Sequence, residues 1–239
     1  MTDTPVQRMP LGQTLLIDAD DTLWENNIYF ERAIASFISL LNHHAYSPDE
    51  IRHRLNACER ETIRQRGYGL KSFRQSLVNC FEQLSPEPVS PQTHEQITSF
   101  ADAIATQEIE LLPGVADTLA ELTTRHRIIL VTKGDDWEQR DKLERSGLKP
   151  HFHEIEVLPE KHSEAYLTLR DRHGCEAAST WMIGNSPKSD VNPALEAGLN
   201  AIFIPHDNTW MLEHEELLPP PSSQAFLQLP AFPHLAHYF

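Results

Sequence analysis

The strongest constraint on the fold of this 239-residue chain is the alternation of short apolar stretches with amphipathic stretches after residue 112. The apolar stretches have the length and β-rich composition of buried strands, and the segments between them have helical periodicity and end at glycines. Four strands are predicted here, at residues 127–131, 155–158, 181–183 and 200–204. Strands that alternate with helices form a parallel sheet with right-handed crossovers, so we predict an α/β domain.

One more strand is predicted earlier in the chain, followed by a long helical insert. Residues 14–17 form a short apolar run, whereas residues 28–107 contain no convincing strand. Ser47 and Ser90 each precede a proline and mark the starts of two helices within this insert, and Gly67-Tyr68-Gly69 predicts a loop. The α/β domain is therefore split by a helical insert after its first strand.

The net charge of the chain excludes two classes of partner. The sequence has 20 Lys and Arg residues against 35 Asp and Glu residues, which gives a formal net charge of −15. Binding to nucleic acid requires an excess of positive charge that displaces counterions from the phosphate backbone. Anionic lipid surfaces likewise attract basic segments. We therefore predict that neither nucleic acid nor a membrane is a partner of this protein.

The cysteines and the N-terminal residues predict a cytoplasmic protein. Cys58, Cys80 and Cys175 form no C-x-x-C pair and are odd in number, which argues against a zinc site or a disulfide scaffold. Residues 1–13 are polar, and the apolar run that follows them is too short for a signal peptide or a membrane span.

A cluster of carboxylates follows the first predicted strand, at the kind of position where α/β sheets bind ligands. Within Asp18-Ala19-Asp20-Asp21-Thr22, Asp18 is placed as a nucleophile, and Asp20 can act as a general acid and base. Clustered carboxylates also attract a hard cation such as Mg²⁺, which prefers oxygen ligands. The alternative interpretation is a polar turn after a strand.

Three further groups near strand ends suit phosphate chemistry. The hydroxyl of Thr132 and the backbone N–H groups from Lys133 onward can bind a phosphoryl oxygen. Lys161, near the start of a helix, can place a point charge on phosphate. After the strand at 181–183, Asn185 and Asp190 offer an amide oxygen and a carboxylate. The ordinary alternatives are a strand end, a solvated lysine and a glycine turn that caps a helix.

In their order and placement these four groups resemble the signature of the haloacid dehalogenase superfamily of phosphohydrolases. That signature is D-x-D-x-T after the first strand, Thr or Ser after the second, Lys before a later helix, and G-D-x-x-x-x-D or a close variant after the fourth. The resemblance covers about residues 12–23 and 112–205. It implies a Rossmann-like α/β core domain, residues 1–23 and 112–239, with an inserted α-helical cap domain at residues 24–111.

The resemblance also implies a function, that of a Mg²⁺-dependent phosphatase acting on a small phosphorylated metabolite. In such an enzyme Asp18 attacks the phosphorus atom and becomes an aspartyl-phosphate, while Asp20 protonates the leaving alcohol and then activates water. Thr132, Lys133 and Lys161 bind the phosphoryl group. The implied metal ligands are the Asp18 carboxylate, the Asp20 backbone carbonyl, Asn185 and Asp190.

Two residues depart from the common signature. Asn185 stands where aspartate is commoner, so that a metal site keeps a carbonyl oxygen but loses one negative charge. Asp21 stands where glycine is frequent, and aspartate tolerates tight turns. Three other functions stay open, namely a dehalogenase, a phosphomutase and a catalytically weak binding protein. A dehalogenase of this superfamily dispenses with the metal and lacks the second aspartate, so Asp20 favours the phosphatase.

The predicted cap contains a basic stretch in an otherwise acidic chain. Residues 51–80 carry seven Lys and Arg residues and two glutamates, a charge of +5, which leaves −20 for the remainder. Arg66, Tyr68 and Lys71 lie where such caps place their specificity loop, and we predict that they contact an anionic group of the substrate. The alternative is a solvated helix face whose arginines pair with the two glutamates.

The tail after residue 205 lies outside the resemblance. It contains no Lys or Arg and is rich in proline, so we predict irregular surface structure there. Four polar or aromatic residues of the tail are expected to serve as caps or packing residues, the alternative being that they border the cleft, namely His206, Asp207, Trp210 and Glu213.

Overall fold

A computed structural model of the chain describes residues 8–41, 46–85 and 88–239. The chain divides into two compact units. The core unit contains the chain up to Glu25 and again from Ile109 to Phe239, and the helical unit is Asn26–Glu108.

The core unit is built on a six-stranded parallel sheet whose strand order is β3-β2-β1-β4-β5-β6. The strands are β1 (Thr14–Ile17), β2 (Arg127–Lys133), β3 (Glu154–Leu158), β4 (Thr180–Gly184), β5 (Asn200–Phe203) and β6 (Phe226–Gln228). The helices of this unit are α5 (Val115–Thr123), α6 (Asp136–Ser146), α7 (Ser163–His173) and the short α8 (Asn192–Glu196). The predicted α/β fold with a parallel sheet is confirmed.

Strand β1 lies at the centre of the sheet, and its register aligns the strand ends that matter for the site. Ile17 pairs with Leu130 of β2 on one side and with Ile183 of β4 on the other. Leu15, Leu16 and Ile17 are all fully buried, as expected for a central strand of a parallel sheet that is covered on both faces. The residues that follow β1 and β4 therefore emerge side by side at one edge of the sheet.

In the described part of the helical unit, four helices surround an apolar core of its own. They are α1 (Asn27–Leu41), α2 (Pro48–Arg66), α3 (Leu70–Leu84) and α4 (Pro91–Ala105). Ser47 and Glu50 form the predicted capping box at the start of α2, and the Ser90 hydroxyl caps α4. Among the described residues no helix has the length and apolar character needed to cross a membrane.

The prediction of irregular surface structure for the tail was wrong for residues 226–239. Strand β6 pairs in parallel with β5, with Ala201 opposite Phe226. Four apolar side chains that follow β6 are buried in the core cluster of this unit, namely Leu229, Phe232, Leu235 and Phe239. Because β6 has only three residues, it shows no periodicity that would identify it in the sequence.

The last aromatic ring of the tail provides a test of this packing. Phe239 is 1% exposed, and its ring meets Trp181 and His126 edge-on at 5.5 and 5.6 Å between centroids. We expect Phe239→Ala to lower the free energy of unfolding by about 3–5 kcal/mol in urea titrations, because the large cavity left behind collapses only in part. Leu218→Ala, at a side chain 48% exposed, is the control and should change it by less than about 0.5 kcal/mol. Equal effects of the two changes would contradict the structure.

Candidate active site

A buried lysine joins two carboxylates at the sheet edge where β1 and β4 end. Lys161 Nζ donates to Asp18 Oδ1 at 2.5 Å and to Asp190 Oδ1 at 2.8 Å, and the lysine side chain is only 2% exposed. Asp18 directly follows β1, and its backbone N–H donates to the Ile183 carbonyl of β4. Charges removed from water in this way are tolerated only when they are paired, so each member of the trio depends on the other two.

The position of Asp190 is fixed by the turn that follows β4. Its Oδ2 atom accepts a hydrogen bond from the Ser186 backbone N–H at 2.9 Å. Gly184, the last residue of β4, leaves the space that this carboxylate occupies, because a Cβ atom there would lie 2.2 Å from Asp190 Oδ2. Glycine is therefore required at residue 184, because the Asp190 carboxylate approaches the backbone there too closely for any side chain.

The proton affinities within the trio are strongly perturbed. Burial raises the pKa of Asp18 to about 7, and the charge of Asp190 adds to the effect, while the charge of Lys161 opposes it. Burial acts to lower the pKa of Lys161, but the charges of Asp18 and Asp190 outweigh it, and the pKa lies well above its ordinary value. The lysine therefore stays protonated between the two carboxylates.

Thr22 and Asn185 complete the surroundings of Asp18. The Thr22 hydroxyl donates to Asp18 Oδ2 at 3.0 Å, and Asn185 Oδ1 lies 3.4 Å from the same hydroxyl oxygen. The amide nitrogen of Asn185 donates to Thr209 Oγ1 at 3.2 Å, while its amide oxygen faces the Thr22 hydroxyl that also binds Asp18. Neutral and anionic oxygens grouped in this way match the ligand preference of Mg²⁺.

Asp20 lies in a separate group of polar side chains. Its carboxylate accepts hydrogen bonds from Trp24 Nε1 at 2.7 Å, from Gln139 Nε2 at 3.0 Å and from Lys142 Nζ at 2.5 and 2.7 Å. Burial acts to raise the pKa of Asp20, but the charge and hydrogen bonds of Lys142 outweigh it, and the pKa lies below its ordinary value. The next residue, Asp21, has a φ of 59°, in accord with its expected place in a tight turn.

The two predicted phosphate-binding residues of β2 have different surroundings. Thr132 is 1% exposed and pairs with Val157 of β3 one residue before the strand ends. The side chain of Lys133 binds Glu213 Oε1 at 2.6 Å and Ser189 Oγ at 2.8 Å. Lys133 therefore has a carboxylate partner of its own, supplied by the tail.

Glu213 is a buried acceptor that joins the tail to this site. Its Oε2 atom accepts hydrogen bonds from the hydroxyls of Ser186 and Ser189, both in the turn after β4. Burial acts to raise the pKa of Glu213, but the Lys133 charge and these hydrogen bonds lower it to about 2. The sequence places Glu213 either at the border of the cleft or in capping or packing, and it does not identify these partners, because they are distant in the chain.

Asp21, Glu25 and His206 form a further group that is close enough to hold a cation. Their ligand atoms lie within 4.8 Å of one another. His206 Nδ1 is 3.9 Å from Asp21 Oδ1, and His206 Nε2 is 3.4 Å from Glu25 Oε2. Each carboxylate thus approaches a different ring nitrogen, which is the arrangement of an imidazole between two acceptors.

The predicted specificity residues all belong to the helical unit. Arg66 ends α2 and Lys71 is the second residue of α3, and both are exposed, while Tyr68 in the turn between them is half-buried. The Ser72 hydroxyl donates to the Gly67 carbonyl at 2.6 Å and closes this turn. Other arginines of the basic stretch are paired within the unit, namely Arg52 with Glu31, Arg64 with Glu61 and Arg74 with Asp102.

A substitution at Glu213 tests the link between the tail and the site. Glu213→Gln should lower the free energy of unfolding by about 1.5–3 kcal/mol at pH 7, because it removes the shorter of the two carboxylate contacts of Lys133, at 2.6 Å, and keeps only the one to Glu160, at 3.3 Å. Since folding lowers the pKa of Glu213, its stabilising contribution is complete above about pH 4.5 and is lost as the pH falls toward 2.

Urea titrations of both proteins at pH 7 and pH 3 measure this change. The difference in the free energy of unfolding between wild type and Glu213→Gln should be smaller at pH 3 than at pH 7. Glu144→Gln, at an exposed partner of Lys149, is the control and should change stability by less than about 0.5 kcal/mol at either pH. If wild type and Glu213→Gln differ in the free energy of unfolding by the same amount at both pH values, the proposed role of the Glu213 charge is wrong.

Comparisons with known proteins agree with this geometry. Residues 13–198 match the family model of the haloacid dehalogenase-like hydrolases. The N-acylneuraminate-9-phosphatase of Rattus norvegicus is 30% identical over 100 residues, 40% of each chain, and that of Homo sapiens is 26% identical over 130 residues, 52% of each chain. The chain thus aligns with about half the length, or less, of these curated relatives.

A solved structure extends the similarity to nearly the whole chain. It is a haloacid dehalogenase-like family hydrolase from Xanthomonas campestris, 27% identical, with a TM-score of 0.79 over 95% of this chain and 93% of that one. The family match contains Asp18, Thr132, Lys161 and Asn185, which the fold brings to one edge of the sheet. The chain belongs to the haloacid dehalogenase-like hydrolases.

Proposed function

We propose that the protein is a Mg²⁺-dependent phosphatase that hydrolyses a small phosphorylated metabolite through an aspartyl-phosphate. The observation that carries the proposal is the buried Asp18 carboxylate at the end of β1, bound by Lys161, with a second carboxylate two residues on. A carboxylate held in this way is a suitable nucleophile, and the lysine supplies positive charge for a phosphoryl group. The similarity to two curated phosphatases supports this reaction.

The reaction has two halves in which Asp20 takes opposite roles. A carboxylate oxygen of Asp18 attacks phosphorus, the bond to the leaving alcohol breaks, and Asp20 gives that alcohol its proton. Asp20 then removes a proton from water, which attacks phosphorus, releases inorganic phosphate and regenerates Asp18. Thr132, the backbone N–H of Lys133 and the charge of Lys161 stabilise the phosphoryl oxygens.

We infer that Mg²⁺ is held by the Asp18 carboxylate, the Asp20 backbone carbonyl and the Asn185 amide oxygen. When bound, the ion offsets the negative charge of the phosphoryl group. Asn185 fits this role because its amide oxygen and the Asp18 carboxylate contact the same Thr22 hydroxyl. Asp190 is the alternative ligand from the turn after β4, and its carboxylate shares Lys161 with Asp18.

We also propose that the helical unit is the cap that selects the leaving group, with Arg66, Tyr68 and Lys71 as specificity residues. Lids of this kind exclude water and contact the part of the substrate that does not react. The +5 charge of residues 51–80 favours a substrate with a second anionic group. We place the reaction in the cytoplasm, since the three cysteines are buried free thiols.

Phosphate release from p-nitrophenyl phosphate tests the reaction. Wild type should release phosphate with Mg²⁺ and lose this activity in EDTA, and Asp18→Asn should lower kcat by about a thousandfold or more, because the nucleophile is gone. Asp117→Asn, at an exposed aspartate of α5, is the control and should retain full activity.

Two results would contradict the proposal. One is the absence of phosphate release across a broad panel of phosphorylated metabolites, which indicates a binding protein. The other is activity that survives both EDTA and Asp18→Asn. Transfer of the phosphoryl group to a second position of the same sugar, without release, would identify a phosphomutase instead.

Charge reversal tests the specificity residues. For a substrate with a second anionic group, Arg66→Glu and Lys71→Glu should each raise KM by roughly tenfold with little change in kcat, since a charge-assisted hydrogen bond contributes about 1.5–3 kcal/mol. Arg64→Glu is the matched control, because Arg64 is exposed on the same helix and paired with Glu61. Equal KM values for all three variants and wild type would remove the assignment.

A further inference from the structure

The carboxylate of Asp20 is held by more donors than an exposed acid normally has. Lys142 Nζ contacts both carboxylate oxygens, at 2.5 Å to Oδ1 and 2.7 Å to Oδ2. Trp24 Nε1 donates to Oδ1 at 2.7 Å, and Gln139 Nε2 donates to Oδ2 at 3.0 Å. Because each oxygen has two donors from different directions, the carboxylate cannot rotate without breaking hydrogen bonds.

Gln139 and Lys142 belong to the same face of α6. They are three residues apart, which places their side chains as neighbours on a helix. The helix itself begins directly after the loop that ends β2, where the Asp135 carboxylate caps it by accepting the Glu138 N–H at 3.1 Å. Gln139 and Lys142 therefore belong to a helix whose start is fixed directly after the preceding strand.

The turn after β2 is shaped around Gln139. The Gln139 amide nitrogen also donates to the Lys133 carbonyl at 3.2 Å. Gly134 in this turn has a φ of 143°, and a Cβ atom on it would lie 3.1 Å from Gln139 Nε2. The absence of a side chain at residue 134 thus lets the amide reach both the turn and Asp20.

The amide oxygen of Gln139 differs from the amide nitrogen in its hydrogen bonding. Gln139 is 93% buried, and its Oε1 atom accepts no hydrogen bond from any residue that the structure describes. A buried acceptor without a partner costs about 1–3 kcal/mol of stability. Here it belongs to the same amide that binds Asp20, so it offers an acceptor for a water molecule or a hydroxyl group next to that carboxylate.

We propose that Gln139 and Lys142 are positioning residues, which hold the Asp20 carboxylate in the one orientation that proton transfer requires. The inference rests on the proposed function. The Asp20 carboxylate takes a proton from the attacking water in one turnover, and in the next turnover that proton goes to the oxygen of the leaving alcohol as its bond to phosphorus breaks. Both transfers require an oxygen of Asp20 within hydrogen-bond reach of its target.

The way in which kcat/KM depends on the leaving group distinguishes a positioning role of these residues from a merely structural role. An aliphatic alcohol is a poor leaving group and needs the proton, whereas p-nitrophenolate departs as a stable anion. Since kcat/KM reports on the steps through release of the alcohol, loss of proton donation should affect it only for the aliphatic ester. General acid catalysis typically contributes about 10²–10⁴-fold.

The experiment compares kcat/KM for an aliphatic phosphate monoester and for p-nitrophenyl phosphate. Lys142→Gln and Gln139→Leu should each lower kcat/KM by about thirtyfold or more for the aliphatic ester, and by less than about threefold for p-nitrophenyl phosphate. Lys142→Arg, which keeps the charge and two donors, should restore part of the loss. Lys149→Gln removes an exposed lysine paired with Glu144 and should change neither value.

A double variant shows whether Lys142 acts through Asp20. Asp20→Asn alone should produce the same preference for p-nitrophenyl phosphate, and Asp20→Asn with Lys142→Gln should lower kcat/KM no further than Asp20→Asn does. Additive losses, or equal losses on both substrates, would overturn the inference. Thermal unfolding of every variant shows whether a loss reflects misfolding, and if Lys142→Gln is unfolded, Gln139→Leu and Lys142→Arg decide.

The failure of this inference and that of the proposed function give different results. If Asp20→Asn changes the substrate preference but Lys142→Gln and Gln139→Leu do not, then only the positioning role is wrong. If Asp18→Asn retains wild-type phosphate release, then the proposed function is wrong, and the positioning role is wrong with it.

Discussion

The contact of Lys161 with Asp18 and Asp190 is the interaction on which the site depends. It joins residues 143 and 29 positions apart in the sequence, in a place where the lysine is almost wholly removed from water. One positive charge between two negative charges leaves a surplus of negative charge in a buried place. Such a surplus is stable only near further positive charge, so a site of this kind suits a cation that the phosphoryl group can share.

The sheet explains why the sequence alone located these residues. Parallel strands end at one edge, and β1 lies between β2 and β4, so polar residues after β1 and β4 must meet. To locate the site in this way, one needs only the short apolar runs and the polar residues that follow them, and both can be identified in the sequence. The helical insert was also visible, because its serine–proline starts and glycine turn are local signals.

The parts that the sequence did not show depend on pairs that are distant along the chain. Glu213 lies in a tail without periodicity, and its importance follows from partners that are distant in the chain, such as Lys133, which is 80 residues away. Lys142 has the sequence context of a solvated lysine on a charged helix, yet its ammonium group is 2.5 Å from Asp20. Burial and side-chain pairing of this kind arise from tertiary packing, which residue type and spacing do not encode.

Asp18 and Asp20 show how two carboxylates two residues apart acquire different properties. Asp18 is buried and the side chain of Asp20 is 24% exposed, and each binds one lysine, yet the pKa of Asp18 is raised to about 7 whereas that of Asp20 is lowered. The two pKa values differ because the two lysines contact the carboxylates differently. Lys161 divides its charge between Asp18 and Asp190, whereas Lys142 contacts both carboxylate oxygens of Asp20. The second carboxylate beside Lys161, rather than burial alone, therefore distinguishes the proposed nucleophile from the proposed acid and base.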